Sequence, residues 1–127
     1  MSDLRPKGIP IMLGGEQRNL LFTVNAIDEI QSVTDRPVDE VVHDLQDKMK
    51  AVKTLRFLMT ILINDDIRRK RRSGRTEEKP LSEEEVGWML TQDNIVEATG
   101  AVLVAYGVSL PEPDEFASPN AESGLTE

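Results

Sequence analysis

The feature that most constrains the fold is a helical apolar pattern between Ala51 and Ile67. Large apolar side chains recur there at helical spacing, which places one set on a single side of the helix: Val52, Leu55, Leu58, Met59 and Leu62. Phe57 and Ile61 fall about 100–140° around the helix from Leu62. This helix therefore has either two buried faces or one buried face and one exposed apolar face.

The residues before this helix predict a β-hairpin followed by two shorter helices. Strand-compatible runs at 9–13 and 17–23 flank Gly14-Gly15, and glycine accepts the positive φ angles of a tight hairpin turn. A first helix is expected over about 25–33. Asp35 is expected to cap the start of a second helix, with Pro37 in its first turn. Its buried face is predicted to comprise Val38, Val41, Val42, Leu45 and Met49.

Two more helices are predicted after a charged segment. Ser82 and Glu85 match a capping box that starts the fourth helix, with Leu81 placed to pack on Val86. Asp93 or Asn94 is expected to cap a fifth helix that runs from Ile95 to Tyr106 and ends at Gly107. Because Glu97 is the only charged residue between Ile95 and Val108, this helix should be nearly enclosed, by its own domain or by a partner.

These patterns together predict a mainly α protein with about five helices and a small N-terminal hairpin. Residues 8–110 are expected to form one domain, with a flexible N-terminus at 1–7 and a disordered acidic tail at 111–127. Residues 68–80 are predicted to be a mobile basic loop inside that domain, because like charges repel there and Ser73-Gly74 and Pro80 break helices.

The residue types that carry catalysis or bind metals are scarce. The chain has no cysteine and one histidine, His43, so imidazole and thiolate metal sites lack ligands. Asp65-Asp66 does not match a calcium loop, and Glu83-Glu84-Glu85 is better explained by helix capping than by acid–base chemistry. No nucleophile motif is present. We therefore expect a protein that is not an enzyme and needs no cofactor.

Charge leaves one alternative function open. The chain carries a net charge of −8, yet residues 68–75 hold six basic residues and no acid. The run Arg68, Arg69, Lys70, Arg71 and Arg72 could contact phosphates. No aromatic residue for base stacking lies near it, and the net field does not steer the chain towards nucleic acid. A solvated loop near the acids of the same chain is the other interpretation, and it makes nucleic-acid binding the less favoured one.

Several stretches, taken in order, resemble the small tail assembly chaperones of long-tailed bacteriophages and prophages. They are Ile9–Glu16, Leu20–Ile30, Lys53–Leu58 with Leu62–Asp65, Glu85–Met89, and Asp93–Ile95 through the closing Gly-Val-Ser-Leu-Pro-Glu-Pro at 107–113. The likeness spans about residues 8–115, and the order of the stretches and the closing motif are its most specific parts.

This resemblance implies a helical, non-catalytic protein that binds the tape measure protein and helps bring tail tube subunits to it. Such proteins act in the cytoplasm of the bacterial host and leave before the virion matures. The family has no binding motif whose residues can be carried over. A structural subunit that only associates with itself is a third interpretation, separate from this resemblance. No apolar run approaches the about 18–20 residues that span a bilayer, so a membrane partner is not expected.

A chaperone of this kind needs adaptable apolar surface, which aromatic and methionine side chains supply. Candidate partner-binding residues are Phe57, Ile61, Trp88 and Met89. Each could equally belong to the core. We expect Phe57→Asp or Ile61→Asp to weaken capture of the tape measure protein and leave helicity intact if these residues face the partner, and to unfold the chain if they are core.

Overall fold

The computed structural model describes residues 8–109 and confirms a helix-dominated fold with an N-terminal hairpin. The two strands are β1 (Ile9–Leu13) and β2 (Glu16–Leu20), and the five helices of the described residues are α1 (Val24–Thr34), α2 (Val38–His43), α3 (Ala51–Arg72), α4 (Glu83–Met89) and α5 (Ile95–Ser109). The predicted flexible N-terminus, residues 1–7, lies outside the described residues. The predicted acidic tail, residues 111–127, also lies outside them.

The hairpin forms around the predicted Gly14-Gly15 turn, but β2 ends at Leu20, three residues before the predicted end. Gly14 and Gly15 have φ angles of 65° and 78°, the left-handed conformation that a two-residue hairpin turn requires at both positions. The strands pair antiparallel with Leu13 opposite Glu16 and Ile11 opposite Arg18. Ile11, Leu13 and Leu20 are buried from the same sheet and join the core.

The cap predicted for α2 lies instead at the end of α1. Asp35 adopts φ 56° and donates its backbone N–H to Gln31 O at 2.8 Å, so it terminates α1, and Pro37 takes the N-cap position of α2. An aspartate tolerates the left-handed conformation, which explains how it serves at a helix C-terminus. Helix α2 also ends early, in a 3₁₀ turn at Asp44–Gln46, so Met49 is exposed and not on a buried face.

Helix α3 is the central element and packs against β2, α1, α2, α4 and α5. Every residue from Leu58 to Ile67 is buried. Of the two arrangements that the sequence allows, α3 therefore has the one with more than one buried face. It also runs five residues beyond the predicted end, through Arg72, so residues 68–72 are helical and the loop to α4 starts at Ser73. The predicted basic loop at 68–80 is therefore wrong over its first five residues.

Short helix α4 and longer helix α5 complete the domain. Ser82 Oγ accepts the Glu85 N–H at 3.1 Å and Glu85 Oε1 accepts the Ser82 N–H at 2.8 Å, which confirms the predicted capping box. Helix α5 packs on β1, β2 and α3 through Ala98, Val102 and Ala105. Tyr106 of α5 also makes an edge-on ring contact with Phe22, which lies between β2 and α1, with ring centroids 5.3 Å apart.

Candidate functional site

The four predicted partner-binding residues do not form one exposed patch. Ile61 is only 4% exposed and belongs to the core, so Ile61→Asp would disrupt folding and cannot report on a partner contact. Phe57 and Met89 are partly buried and pack against the core. Trp88 alone is well exposed, at 72%. Ile61 is covered because the structure packs other elements around both faces of α3, which its own periodicity cannot reveal.

Trp88 lies beside a shallow, open depression on α3 and α4 lined by Arg56, Glu83, Glu84 and Gly87. Arg56 Nε lies 3.6 Å from Glu83 Oε1, a surface ion pair with both side chains about half exposed. The depression has one aromatic wall and charged edges, and nothing encloses it. It offers a peripheral contact for a partner and no enclosed pocket for a small molecule.

The basic run is divided between internal and outward contacts. Arg69 Nε binds Asp65 Oδ2 at 3.0 Å and Lys70 Nζ binds Asp66 Oδ2 at 2.9 Å, one helical turn back in each case. The same two cations reach β2: Arg69 Nη2 donates to Asn19 O at 3.2 Å and Lys70 Nζ to Gln17 O at 2.8 Å. These contacts offset the like-charge repulsion and extend α3, and they use Arg69 and Lys70 structurally.

Asp65 and Asp66, which the sequence places at a helix end, lie within α3 and fasten the hairpin to it. Asp66 is 1% exposed and accepts the Asn19 N–H at 3.2 Å, while Asp65 accepts the Thr23 hydroxyl at 3.0 Å. Thr23 in turn caps α1 by accepting the Ala26 N–H at 3.1 Å. Both carboxylates therefore have a structural role, because each accepts hydrogen bonds from neighbouring donors.

The loop between α3 and α4 is anchored at two points that sequence reasoning missed. Arg18, buried within the hairpin, donates to both carboxylate oxygens of Glu78 at 2.7 and 3.0 Å. Asn64 exchanges two hydrogen bonds with the Leu81 backbone, at 2.7 and 2.8 Å. The sequence indicates these anchors only through a charged residue in a strand and a polar residue on an apolar helix. Neither residue type identifies its partner.

Three of the exposed apolar side chains in the described residues lie on one side of α5. We define the outer face of α5 as Val96, Gly100, Leu103, Val104 and Gly107. Val96 is 81% exposed, Val104 53% and Leu103 38%. A Cβ placed on Gly100 or Gly107 would meet no atom within 4 Å, so open space lies over both positions. Val96, Gly100, Leu103 and Gly107 follow at intervals of four, three and four residues, which aligns them along one side of the helix.

Helix α5 carries apolar residues on two opposite sides, one buried and one exposed. At 100° per residue, the buried set, Ala98, Val102 and Ala105, is centred about 180° around the helix from the centre of the outer set. The sequence predicts a nearly enclosed helix, but the described domain covers one side of α5 and leaves the other side exposed. Covering an exposed valine or leucine side chain is worth about 1.5–3 kcal/mol, so the outer face of α5 favours association.

Other exposed apolar side chains are scattered over different elements: Met12 on β1, Val24 and Val33 on α1, Met49 before α3 and Val52 on α3. Isolated exposures of this kind are common on protein surfaces. The outer face of α5 differs because its members are consecutive along one helix side and no charge separates them. It is therefore the candidate docking surface.

No candidate metal site occurs in the described part of the chain. Within residues 8–109 no cluster of three or more His, Asp or Glu side chains could hold a metal ion, and His43 is exposed on α2. Burial raises the pKa of Tyr106, helped by the nearby Asp39 carboxylate. The Arg36 guanidinium, 2.6 Å from Asp44, lowers the pKa of that carboxyl through its hydrogen bond. Both shifts have structural causes.

None of the helices in residues 8–109 combines the length and the apolar character needed to cross a bilayer. Comparisons of the chain with protein families, with curated proteins and with solved structures found no match.

Proposed function

We propose that this chain is a non-catalytic tail assembly chaperone that binds an apolar helical segment of the tape measure protein and assists tail tube polymerisation. The observation that carries the proposal is the outer face of α5, a line of uncharged residues with open space above its two glycines. A helix laid along such a line can approach closely over the glycines and pack on Val96, Leu103 and Val104. The resemblance of the sequence to the chaperone family supplies the partners.

The remainder of the domain suits this role. Helix α3 and its ion pairs hold the hairpin, α1 and the loop before α4 in fixed positions, so α5 is presented on a rigid support. A preformed surface loses less entropy on binding than a segment that must first fold. Trp88 extends the apolar contacts at a separate place on α4. In this proposal the protein acts in the bacterial cytoplasm and is not retained in the virion.

The test is co-expression with a candidate tape measure protein, which is expected to be very long and helix-rich, with solubility of that protein as the measurement. Leu103→Asp and Val96→Asp place a charge on the outer face of α5 and should reduce the co-purified partner at least about tenfold, because an unpaired charge would be desolvated in the complex. The circular dichroism spectrum should stay unchanged, since Val96 is 81% exposed and Leu103, at 38%, lies outside the buried core.

The chain offers a matched control in Val24→Asp. Val24 is 82% exposed and begins α1, while Val96 is 81% exposed and lies in the first turn of α5, so the two substitutions are alike except for location. Val24→Asp should leave co-purification unchanged. Equal losses in the two variants, or no loss with Val96→Asp, would contradict the proposal.

Salt separates this proposal from nucleic-acid binding through the basic run. Apolar capture should persist or strengthen between about 50 and 500 mM salt, whereas phosphate contacts should weaken steeply over the same range. Co-purification that disappears at high salt would favour the electrostatic alternative. Concentration-dependent dimerisation that Leu103→Asp abolishes would show instead that a second copy covers the outer face of α5.

A further inference from the structure

The C-terminal end of α3 carries a second, cationic surface. At 100° per residue, Arg68, Arg71 and Arg72 lie within about 100° of one another, on the side of α3 away from Lys70. All three are exposed, and Arg75 follows them in the first residues of the loop. We call these four residues the arginine face.

The arginine face lacks strong anionic partners among the described residues. Arg68 Nη1 lies 3.7 Å from Glu29 Oε1, and both side chains are about half exposed. Arg71 reaches a backbone oxygen, that of Glu78, at 3.5 Å, and Arg75 donates to the Ser73 hydroxyl at 2.7 Å. The Arg72 side chain makes no hydrogen bond or ion pair within residues 8–109. Arg69 and Lys70, by contrast, are each paired with a carboxylate.

The chain itself contains a segment of complementary charge. Residues 110–127 include five carboxylates and no basic residue: Glu112, Asp114, Glu115, Glu122 and Glu127. The segment directly follows Ser109, the last residue of α5. From Ser109 to Glu122 an extended chain reaches roughly 43–47 Å. A domain of about 100 residues has a radius of gyration near 13 Å, so the arginine face is within that reach.

We propose that the acidic segment 110–127 binds the arginine face of the same molecule and competes there with external polyanions. Exposed ion pairs are individually weak, so a separate peptide of this composition would bind poorly. Tethering changes that, because a short flexible linker gives an effective concentration of roughly millimolar. The arginine face thus acquires an intramolecular occupant. This proposal is independent of partner binding by α5.

The direct test uses the absence of cysteine in the chain. A nitroxide spin label on Ser123→Cys of the full chain should broaden the amide NMR signals of residues 68–75 to less than about half their unlabelled intensity at 20 mM salt. Raising the salt to about 500 mM shortens the screening length from roughly 20 Å to roughly 4 Å and should restore the signals. Unchanged signals at low salt would overturn the proposal, and so would broadening confined to Val96–Gly107, which would place the segment on the outer face of α5.

A binding measurement tests the competition. Replacing the five carboxylates of segment 110–127 by their amides should tighten binding of a 20-nucleotide single-stranded DNA about tenfold at 50 mM salt, since an occupant present at about ten times its dissociation constant is removed. The matched control neutralises five exposed carboxylates elsewhere and alters net charge equally: Glu16, Asp28, Glu84, Asp93 and Glu97. A threefold or smaller effect of the control supports the proposal. Equal tightening by both variants would reduce the effect to net charge and contradict it.

Discussion

At the scale of single residues, Arg18 is a buried charge that depends on one acidic partner. Its side chain is 2% exposed, and both carboxylate oxygens of Glu78 and the Leu13 carbonyl accept its hydrogen bonds. A buried guanidinium is tolerated only when it is paired, since desolvation of an isolated ion costs several kcal/mol. The pair joins residues 60 positions apart and holds the loop before α4 against the hairpin.

Glu78→Gln should lower the free energy of unfolding by about 2–4 kcal/mol, because it leaves the Arg18 charge buried without its counter-ion. The lower part of that range applies if water enters, since the Glu78 side chain is 29% exposed. Urea denaturation at pH 7 measures the change. The adjacent Glu77→Gln is the control: Glu77 is exposed, and its loss should stay within about 0.5 kcal/mol. Equal midpoints for the two variants would contradict the role assigned to Arg18.

Tyr106 predicts a dependence of stability on alkaline pH. It is the only tyrosine, and burial together with the nearby Asp39 carboxylate raises its pKa in the folded chain. The folded state therefore favours the neutral phenol. The associated stabilisation is complete below the unfolded pKa of about 10 and is lost as pH rises through the higher folded pKa.

Ultraviolet titration of the phenolate measures this directly. The midpoint should lie above about 10 in the folded protein and return to about 10 in concentrated urea. Asp39→Asn should lower the folded midpoint only in part, because burial is the larger cause. A folded midpoint at or below the value in urea would show that the phenol is not desolvated.

At the scale of elements, the short helix α4 depends on the capping box at its N-terminus. It has seven residues, and such a short helix is marginal without additional contacts. Ser82→Ala removes the acceptor of the Glu85 N–H and should cost about 1 kcal/mol in urea unfolding. Ser32→Ala, at an exposed position inside α1, is the control and should change stability by less than about 0.5 kcal/mol. Equal effects would mean that the capping box contributes nothing to α4.

Elements with local signals were predictable from the sequence, and their ends were less so. Gly14-Gly15 and the Ser82–Glu85 capping box depend on neighbouring residues only, so the hairpin and the start of α4 were placed correctly. The end of α3 differs from the prediction, because two pairs one turn back offset the repulsion within residues 68–72: Asp65–Arg69 and Asp66–Lys70. The β2 carbonyls that also accept from Arg69 and Lys70 are tertiary contacts that no local pattern contains.

Only part of the candidate site could be predicted from the sequence, because the burial of each residue depends on tertiary packing. The near absence of charge in α5 indicated a helix that needs cover, but only the packed structure shows which side stays open. The division among Phe57, Ile61, Trp88 and Met89 likewise depends on which elements pack on α3 and α4. Periodicity identifies apolar faces, and tertiary packing decides which of them are covered.

At the scale of the whole molecule, α3 connects the other elements and should be the most stable part of the domain. Its residues from Leu58 to Ile67 are buried on all sides, whereas α4 has one buried residue, Val86. Native-state hydrogen exchange should show amides 58–67 exchanging only through global unfolding, and α4 amides exchanging at least about tenfold faster through local opening. Similar rates in α3 and α4 would indicate one cooperative unit with no separate opening of α4.

The position of Trp88 has a practical consequence for optical experiments. The only indole of the chain sits at the surface of α4, so its surroundings are already aqueous in the native state. Denaturation should therefore change its emission little, and a flat fluorescence trace would say nothing about whether the domain is intact. A blue shift in that emission would instead report that another macromolecule has shielded this end of the domain from water.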